Sequence, residues 1–343
     1  MSTSRYDQPD TAGHHAGQHR AVLSGEVAPV ADELRPTAGP IAILPKPKPL
    51  FVDAVTAAGG EVAELSADTR GLVWLTSERA ADLGAALDAN PQVQWVQLPW
   101  AGVDAFADLL RSHDRPHLLW TSAKGAYAQP VAEHALMLTL ALMRRIPERV
   151  RASSWATATG DSLYGRRVVI VGAGGIAVEL LRLLAPFDVS VTIVRRSAAP
   201  LAGADRTVTS DDLDEVLADA DVVIVAAAMT GGTLHLLGEK QFALMKKTAY
   251  LVNIARGGLV DTDALTAALA SGEIAGAGLD VTDPEPLPDG HPLWSEPNVI
   301  ITPHSADTPE MTAPLLAVRL EQNVTAFLGD GAFVGVVDPQ AGY

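Results

Sequence analysis

The sequence contains no cysteine, which excludes disulfides, thiolate nucleophiles and cysteine-based metal sites. Basic residues are also short: 25 against 41 acidic ones, for a net charge of −16. That balance speaks against nucleic acid or an anionic membrane surface as a partner. An anionic substrate then needs a local positive site built against the overall field. No apolar run approaches the roughly 20 residues of a membrane-spanning helix, and the longest apolar helix candidate, 135–143, is too short. The N-terminus lacks a charged-then-apolar leader pattern. A cytoplasmic protein with no membrane partner is the expectation.

Aromatics are few as well, while Ala, Val and Leu dominate in the manner of α/β proteins. The 343 residues favour two domains over one. The stretch that organises them is 167–197. Residues 168–171 are a continuous apolar run, suited to a strand buried on both faces. From 176 to 184 the apolar residues recur at helical spacing, and 189–194 reads as a second strand. Between strand and helix, Gly172, Gly174 and Ala177 fall on the G-x-G-x-x-G/A pattern of a dinucleotide-binding turn. Gly172 suits the sharp turn, and Gly174 has no Cβ to hold a pyrophosphate away. Ala177 lets the helix pack closely on the strand. The helix opening at Gly175 and Ile176 points its N–H groups at the phosphates. A glycine-rich turn alone would be weak evidence; here it sits inside a complete β-α-β unit.

NAD sites place an acid about 20 residues beyond the glycines, to accept from the ribose 2′-hydroxyl. Here Arg195, Arg196 and Ser197 stand there, and no acid does. A guanidinium fork matches a 2′-phosphate. The reading favours NADP and leaves NAD open, since a solvated basic strand end looks the same.

In chain order, residues 1–39 read as a flexible tail with short apolar patches, and a metal is not expected at His14, His15 and His19, because an unstructured histidine cluster seldom binds one with purpose. Residues 40–130 alternate strand and helix patterns: strands at 41–44, 71–75, 93–98 and 118–121, and helices at 52–58, from Ser77 as cap to 87, and at 106–110. That predicts a small parallel-sheet domain without a phosphate-binding glycine turn, suited to holding substrate. A long helical stretch at 131–152, with Glu133 in its opening turn and a break near Pro147, leads into the second domain. There, Ser210 caps a helix to 218, and strands follow at 222–227, 249–254, 274–281 and 299–302. Helices fall at 239–246 and from the Asp261 cap to 270, closed by Gly272. A final helix at 311–327 returns to the first domain. The expected boundaries are 1–39 for the tail, 40–130 with 309–343 for the substrate domain, and 131–308 for the dinucleotide domain.

Three polar residues stand just beyond strand ends in the second domain: Arg256, Glu285 and His304. Ligands of doubly wound sheets bind at the carboxyl ends of strands. Histidine has the pKa for proton transfer near neutrality, a carboxylate partner favours its imidazolium, and a guanidinium both binds a carboxylate and polarises a neighbouring carbonyl. Singly, each also reads as an ordinary salt-bridge or turn residue.

Four segments, taken together, resemble one family. They are Gly172-Ala-Gly-Gly-Ile-Ala, Leu251-Val-Asn-Ile-Ala-Arg-Gly-Gly-Leu-Val-Asp, Gly278-Leu-Asp-Val-Thr-Asp-Pro-Glu-Pro-Leu-Pro and Asn298-Val-Ile-Ile-Thr-Pro-His. Their order and spacing are similar to those of the D-isomer-specific 2-hydroxyacid dehydrogenases, which include glyoxylate/hydroxypyruvate reductases. The resemblance implies an α/β protein of two domains, a Rossmann doubly wound parallel-sheet cofactor domain and a smaller flavodoxin-like substrate domain. It implies a homodimer that reduces a small 2-oxo acid to a D-2-hydroxy acid by hydride transfer. Arg256 resembles the arginine that grips the oxo acid, Glu285 the partner of the catalytic histidine, and His304 that histidine. Asp280 and the backbone at Ile254 resemble the groups that fix the nicotinamide carboxamide. Trp100, Ala101 and Gly102 resemble the loop that binds the substrate carboxylate. The departures are Ala177 for the third glycine, Ala228 where a proline is usual, Asp307 where glycine is frequent, and Arg195 where NAD-using members hold Asp. A cofactor sensor with little turnover and an NAD-linked dehydrogenase running oxidatively are the alternatives.

Overall fold

The computed structural model of the chain describes His19, Val30 and residues 34–340. The expected tail therefore lies largely outside the described residues, including His14 and His15. Val30 packs against an apolar core, and within 34–39 the Arg35 guanidinium donates to the Gly331 carbonyl and the Thr37 amide to Gln94 Oε1. The chain forms two compact units, one holding the described residues up to Gln129 together with those from Thr308, the other Pro130–Asp307.

In the first unit, strands β1 (Ile41–Leu44), β2 (Gly71–Trp74), β3 (Trp95–Gln97) and β4 (Leu119–Thr121) lie in that order, all parallel. A parallel bridge from Ile41 to Val62 adds a fifth edge outside β1. Counted along the chain the order is then 2-1-3-4-5, that of flavodoxin-like sheets. Alternate side chains leave the two faces of the sheet. Ile41, Ile43, Val73 and Trp95 meet α1 (Pro49–Ala57) and the last helix, α10 (Pro309–Phe327). Leu72, Trp74, Val96 and Trp120 meet α2 (Ala80–Ala89) and α3 (Ala107–Ser112). Arg319 on α10 is wholly buried, and its Nη1 donates to the Ser122 and Lys124 carbonyls just past β4. Burial pushes its guanidinium down to about 10, so it remains charged at neutral pH.

The second unit holds seven parallel strands in the order β11-β10-β9-β8-β5-β6-β7: β5 (Arg167–Val171), β6 (Ser190–Arg195), β7 (Arg206–Thr209), β8 (Val222–Val225), β9 (Tyr250–Asn253), β10 (Gly276–Leu279) and β11 (Val299–Ile301). The order reverses between β5 and β8, which is the switch point of a Rossmann sheet. Val168 and Ile170 pack into the core on one face, Val169 and Val171 into the core on the other, and β8 repeats the alternation. This is what the continuous apolar runs required. Among the described residues no helix is long and apolar enough to cross a membrane.

The strands expected at 93–98, 222–227 and 274–281 are shorter, at Trp95–Gln97, Val222–Val225 and Gly276–Leu279, and other local details depart from expectation as well. The helix α2 is capped at Arg79, not Ser77, because the Thr76 hydroxyl captures the Glu78 amide in a local turn. The helical stretch from 131 starts earlier, as α4 (Ala128–Met143), so Glu133 is not in its first turn; it breaks at Arg145 (φ 52°), and α5 (Ile146–Arg151) restarts with Pro147 in its first turn. Thr209, not Ser210, opens the turn before α7 (Leu213–Asp219), its amide and hydroxyl both donating to Asp212 Oδ2. The strand β7 was not expected, since Arg-Thr-Val-Thr is an edge strand with only Val208 buried and so has no apolar run. By contrast α9 (Thr262–Ser271) has its predicted ends. The Asp261 carboxylate accepts from the Ala264 amide at 3.0 Å, and Gly272 closes the helix at φ 70°.

Candidate active site

All seven strands of the second unit run parallel, so their carboxyl ends share one edge. Register keeps those ends level: Val171 pairs with Val194 and Val225, Asn253 with Val225 and Leu279, and Leu279 with Ile301. Every predicted residue of this unit emerges at that edge.

After β5, Gly172 takes φ 118°, and a Cβ there would stand 2.5 Å from the Ala226 carbonyl oxygen. Only glycine fits, because the turn lies flat against the segment after β8. Gly174 is different: a Cβ built on it meets nothing within 4 Å. It caps α6 (Gly175–Leu184), whose first amides have no partner within the helix. This open cradle at a helix N-terminus fits a pyrophosphate. Ala177 is fully buried against the sheet. Arg195 ends β6, one residue beyond the partner of Val171 and about 4.8 Å across from the glycine turn. It is half-buried, and Arg196 and Ser197 are exposed.

Arg256, Glu285 and His304 follow β9, β10 and β11, three neighbouring strands. Asn253 is buried, accepts from the Ala255 amide and donates to the Arg256 carbonyl, shaping the first loop. Ile254 is buried beside it, its amide donating to the Val225 carbonyl. Arg256 is half-buried, with Nη1 donating to the Ala255 carbonyl at 2.7 Å. His304 and Glu285 meet directly, Nδ1 to Oε1, at 2.6 Å. The carboxylate can only accept, so Nδ1 carries the hydrogen and the other ring nitrogen, Nε2, is left for chemistry. This bond, with the charges of His304 and Arg256, holds the Glu285 carboxyl below its usual range despite partial burial. Guanidinium, carboxylate and imidazole therefore act on one another, although 48 residues separate the first from the last.

Asp280, at the end of β10, is buried and supports this arrangement from beneath. Its Oδ1 accepts from the Thr302 hydroxyl at 2.6 Å and the Ser305 amide at 2.8 Å, and its Oδ2 from the Ala306 amide at 3.1 Å. In the first unit, Trp100 is half-buried with its ring 6.1 Å from that of Tyr127, whose hydroxyl donates to the Pro99 carbonyl; Ala101 is exposed and Gly102 half-buried.

Residues 135–306, half of the chain, match the family model for the D-isomer specific 2-hydroxyacid dehydrogenase, NAD binding domain. The chain belongs to this family. The dehydrogenase is 36% identical to a glyoxylate reductase of Thermofilum pendens over 254 residues, 71% of this chain and 74% of that one. It is 33% identical to glyoxylate/hydroxypyruvate reductase B of Escherichia fergusonii over 288 residues, 81% and 87% of the two chains. Among solved structures, a D-isomer specific 2-hydroxyacid dehydrogenase from Xanthobacter autotrophicus Py2, in complex with NADPH and MES, is similar at a TM-score of 0.76 and 27% identity. That match covers 90% of this chain and all of that one. The chain is an NAD(P)-dependent oxidoreductase, and its Rossmann unit is the nicotinamide cofactor domain.

Sequence reasoning missed three parts of the dehydrogenase's site. Gly257 lies against the backbone of Thr282 and so brings the Arg256 loop to the Glu285 loop. Thr302 bonds Asp280, and His134 reaches Thr302. The Arg-Gly-Gly run was a signal for the first; nothing in the spacing announced the other two. Trp294 is half-exposed and donates to the Pro288 carbonyl within its own loop.

Proposed function

We propose that the protein reduces a small 2-oxo acid of the glyoxylate or hydroxypyruvate type to the D-2-hydroxy acid, with NADPH preferred over NADH. The observation that carries this reading is the 2.6 Å bond between His304 Nδ1 and Glu285 Oε1 beside Arg256, at the carboxyl ends of three adjacent strands. The Arg256 guanidinium binds the substrate carboxylate and polarises the neighbouring carbonyl. The amides of Ala101 and Gly102, with Trp100 beside them, are the corresponding carboxylate candidates of the first unit. Reduced nicotinamide, when bound, supplies the hydride to the carbonyl carbon. The C=O electron pair moves onto oxygen, and His304 delivers the proton from Nε2 to that oxygen, becoming neutral. Glu285 stabilises the imidazolium before the transfer. Gly172, Gly174, Gly175 and Ile176 would hold the pyrophosphate, Arg195, Arg196 and Ser197 the 2′-phosphate, and Ile254 and Asp280 the carboxamide. The relatives' names, a glyoxylate reductase and a glyoxylate/hydroxypyruvate reductase, support the substrate class.

Initial rates with NADPH and NADH against a panel of 2-oxo acids test this. NADPH oxidation with glyoxylate or hydroxypyruvate is the expected result; cofactor binding without turnover on any acid would point to a sensor. Arg195→Asp is expected to lower the ratio of kcat/KM for NADPH over NADH by about tenfold or more, the loss of one charge-assisted contact to phosphate. An unchanged ratio removes Arg195 from the cofactor site. We also assign a homodimer, supported by the exposed Val150, Trp155 and Tyr164 of the Rossmann unit. Sedimentation at a mass of two chains is the expected outcome, and a monomer at micromolar concentration would overturn it.

A further inference from the structure

We propose that His134, on α4, is a positioning residue for the reaction: through the Thr302 hydroxyl it orients Asp280, and Asp280 holds the turn that presents His304. The proposal rests on the reading of His304 as proton donor. His304 takes φ 50°, in the left-handed region that a residue other than glycine adopts at a cost. Bonds to one residue contribute to holding it there, together with a 2.9 Å bond from the His304 amide to the Thr302 carbonyl. The His304 amide donates to the Asp280 carbonyl at 2.8 Å, and the amides of Ser305 and Ala306 donate to its carboxylate at 2.8 and 3.1 Å. The Thr302 hydroxyl donates to the same carboxylate at 2.6 Å. Asp280 thus grips the turn on both sides of His304.

Thr302 has only one hydroxyl proton, and that proton is given to Asp280. Its oxygen can therefore only accept from His134 Nε2, which lies 3.0 Å away. This assigns the Nε2–H tautomer of His134 and makes a chain of single direction: His134 to Thr302 to Asp280. His134 Nε2 also stands 3.5 Å from Asp280 Oδ1. Burial holds the His134 ring below its ordinary pKa, outweighing Asp280 and Asp307, so a neutral donor is what the chain contains near neutrality. A bond donated into Thr302 polarises the hydroxyl and fixes its rotamer, which places the Asp280 oxygen under the Ser305 amide. Without it the hydroxyl can rotate, and the turn loses one of its restraints. Packing of α4 on the sheet does not require a histidine at this position, since leucines at 138 and 142 of the same helix fill the core.

The test compares His134→Leu, which removes the donor, with His134→Gln, whose side-chain amide can still donate. His134→Leu is expected to lower kcat about tenfold, the worth of one aligned hydrogen bond, with the KM for the oxo acid little changed. His134→Gln should keep most of the activity. Thr302→Val should match His134→Leu, and the double variant should be no worse than Thr302→Val alone, because both remove one chain. Equal loss in His134→Gln and His134→Leu, additive losses in the double variant, or unchanged kcat in His134→Leu would each overturn the proposal. If His134→Leu does not fold, Thr302→Ser against Thr302→Val carries the same comparison, and equal kcat in those two overturns it. Wild-type kcat in a His304 variant would instead sink the functional reading beneath it.

Discussion

His304→Asn is expected to lower kcat for 2-oxo acid reduction by about 10²- to 10⁴-fold, the usual worth of a positioned general acid. Asparagine is the informative replacement because it tolerates the left-handed conformation that His304 occupies at φ 50°. Alanine would confound lost chemistry with a strained turn. The amide cannot supply a proton at neutral pH, yet the backbone bond from residue 304 to the Asp280 carbonyl is retained. Cofactor affinity, read by quenching of bound NADPH fluorescence, should stay near wild type, since the turn proposed to hold the pyrophosphate follows β5, while His304 follows β11. A loss confined to kcat is thus the signature of the proton donor. If kcat falls by less than about tenfold, general acid catalysis by His304 is excluded.

Gly257→Ala should be the most damaging small substitution in the Rossmann unit. Its Cβ would stand 1.9 Å from the Thr282 carbonyl oxygen, 2.1 Å from the carbonyl carbon and 2.7 Å from the Asp283 nitrogen. All three are backbone atoms, so no rotamer can yield and the two loops must separate. Overpacking costs about 1–3 kcal/mol, and a clash with three backbone atoms falls at the upper end, about 3 kcal/mol. In a unit of this size that lowers the melting temperature by about 6–12 °C. The separation also pulls Arg256 from Glu285, so kcat/KM should fall even below the new melting point. Gly174→Ala is the contrasting case. Its Cβ meets nothing within 4 Å, so stability should barely change while the KM for NADPH rises, the methyl group now standing where a pyrophosphate would approach. Circular dichroism melts and initial rates separate the two. A Gly257→Ala protein that melts with the wild type would mean the loops are not held by this contact.

The parts legible from sequence were those written in local spacing. The run at 168–171 announced a strand buried on both faces, because every residue in it had to be apolar. Gly172 marked the sharp turn between β5 and α6, which its φ of 118° and the nearby Ala226 carbonyl require to be glycine. Asp261 and Gly272 bounded α9, because a helix end satisfies its loose backbone groups with its immediate neighbours. Arg256, Glu285 and His304 were each found as polar residues following a strand, and a resemblance to one family supplied the roles proposed for them.

Only the tertiary structure decided which of these residues meet. The His304–Glu285 bond joins positions 19 apart, Thr302 to Asp280 spans 22, and His134 to Thr302 spans 168. No periodicity encodes such pairs; they exist because parallel strands bring their carboxyl ends level on one edge. The strand β7 and the role of Gly257 were hidden for the same reason. A polar edge strand is defined by the neighbour it pairs with, and a glycine required by another loop's backbone shows its necessity only when that loop is in place.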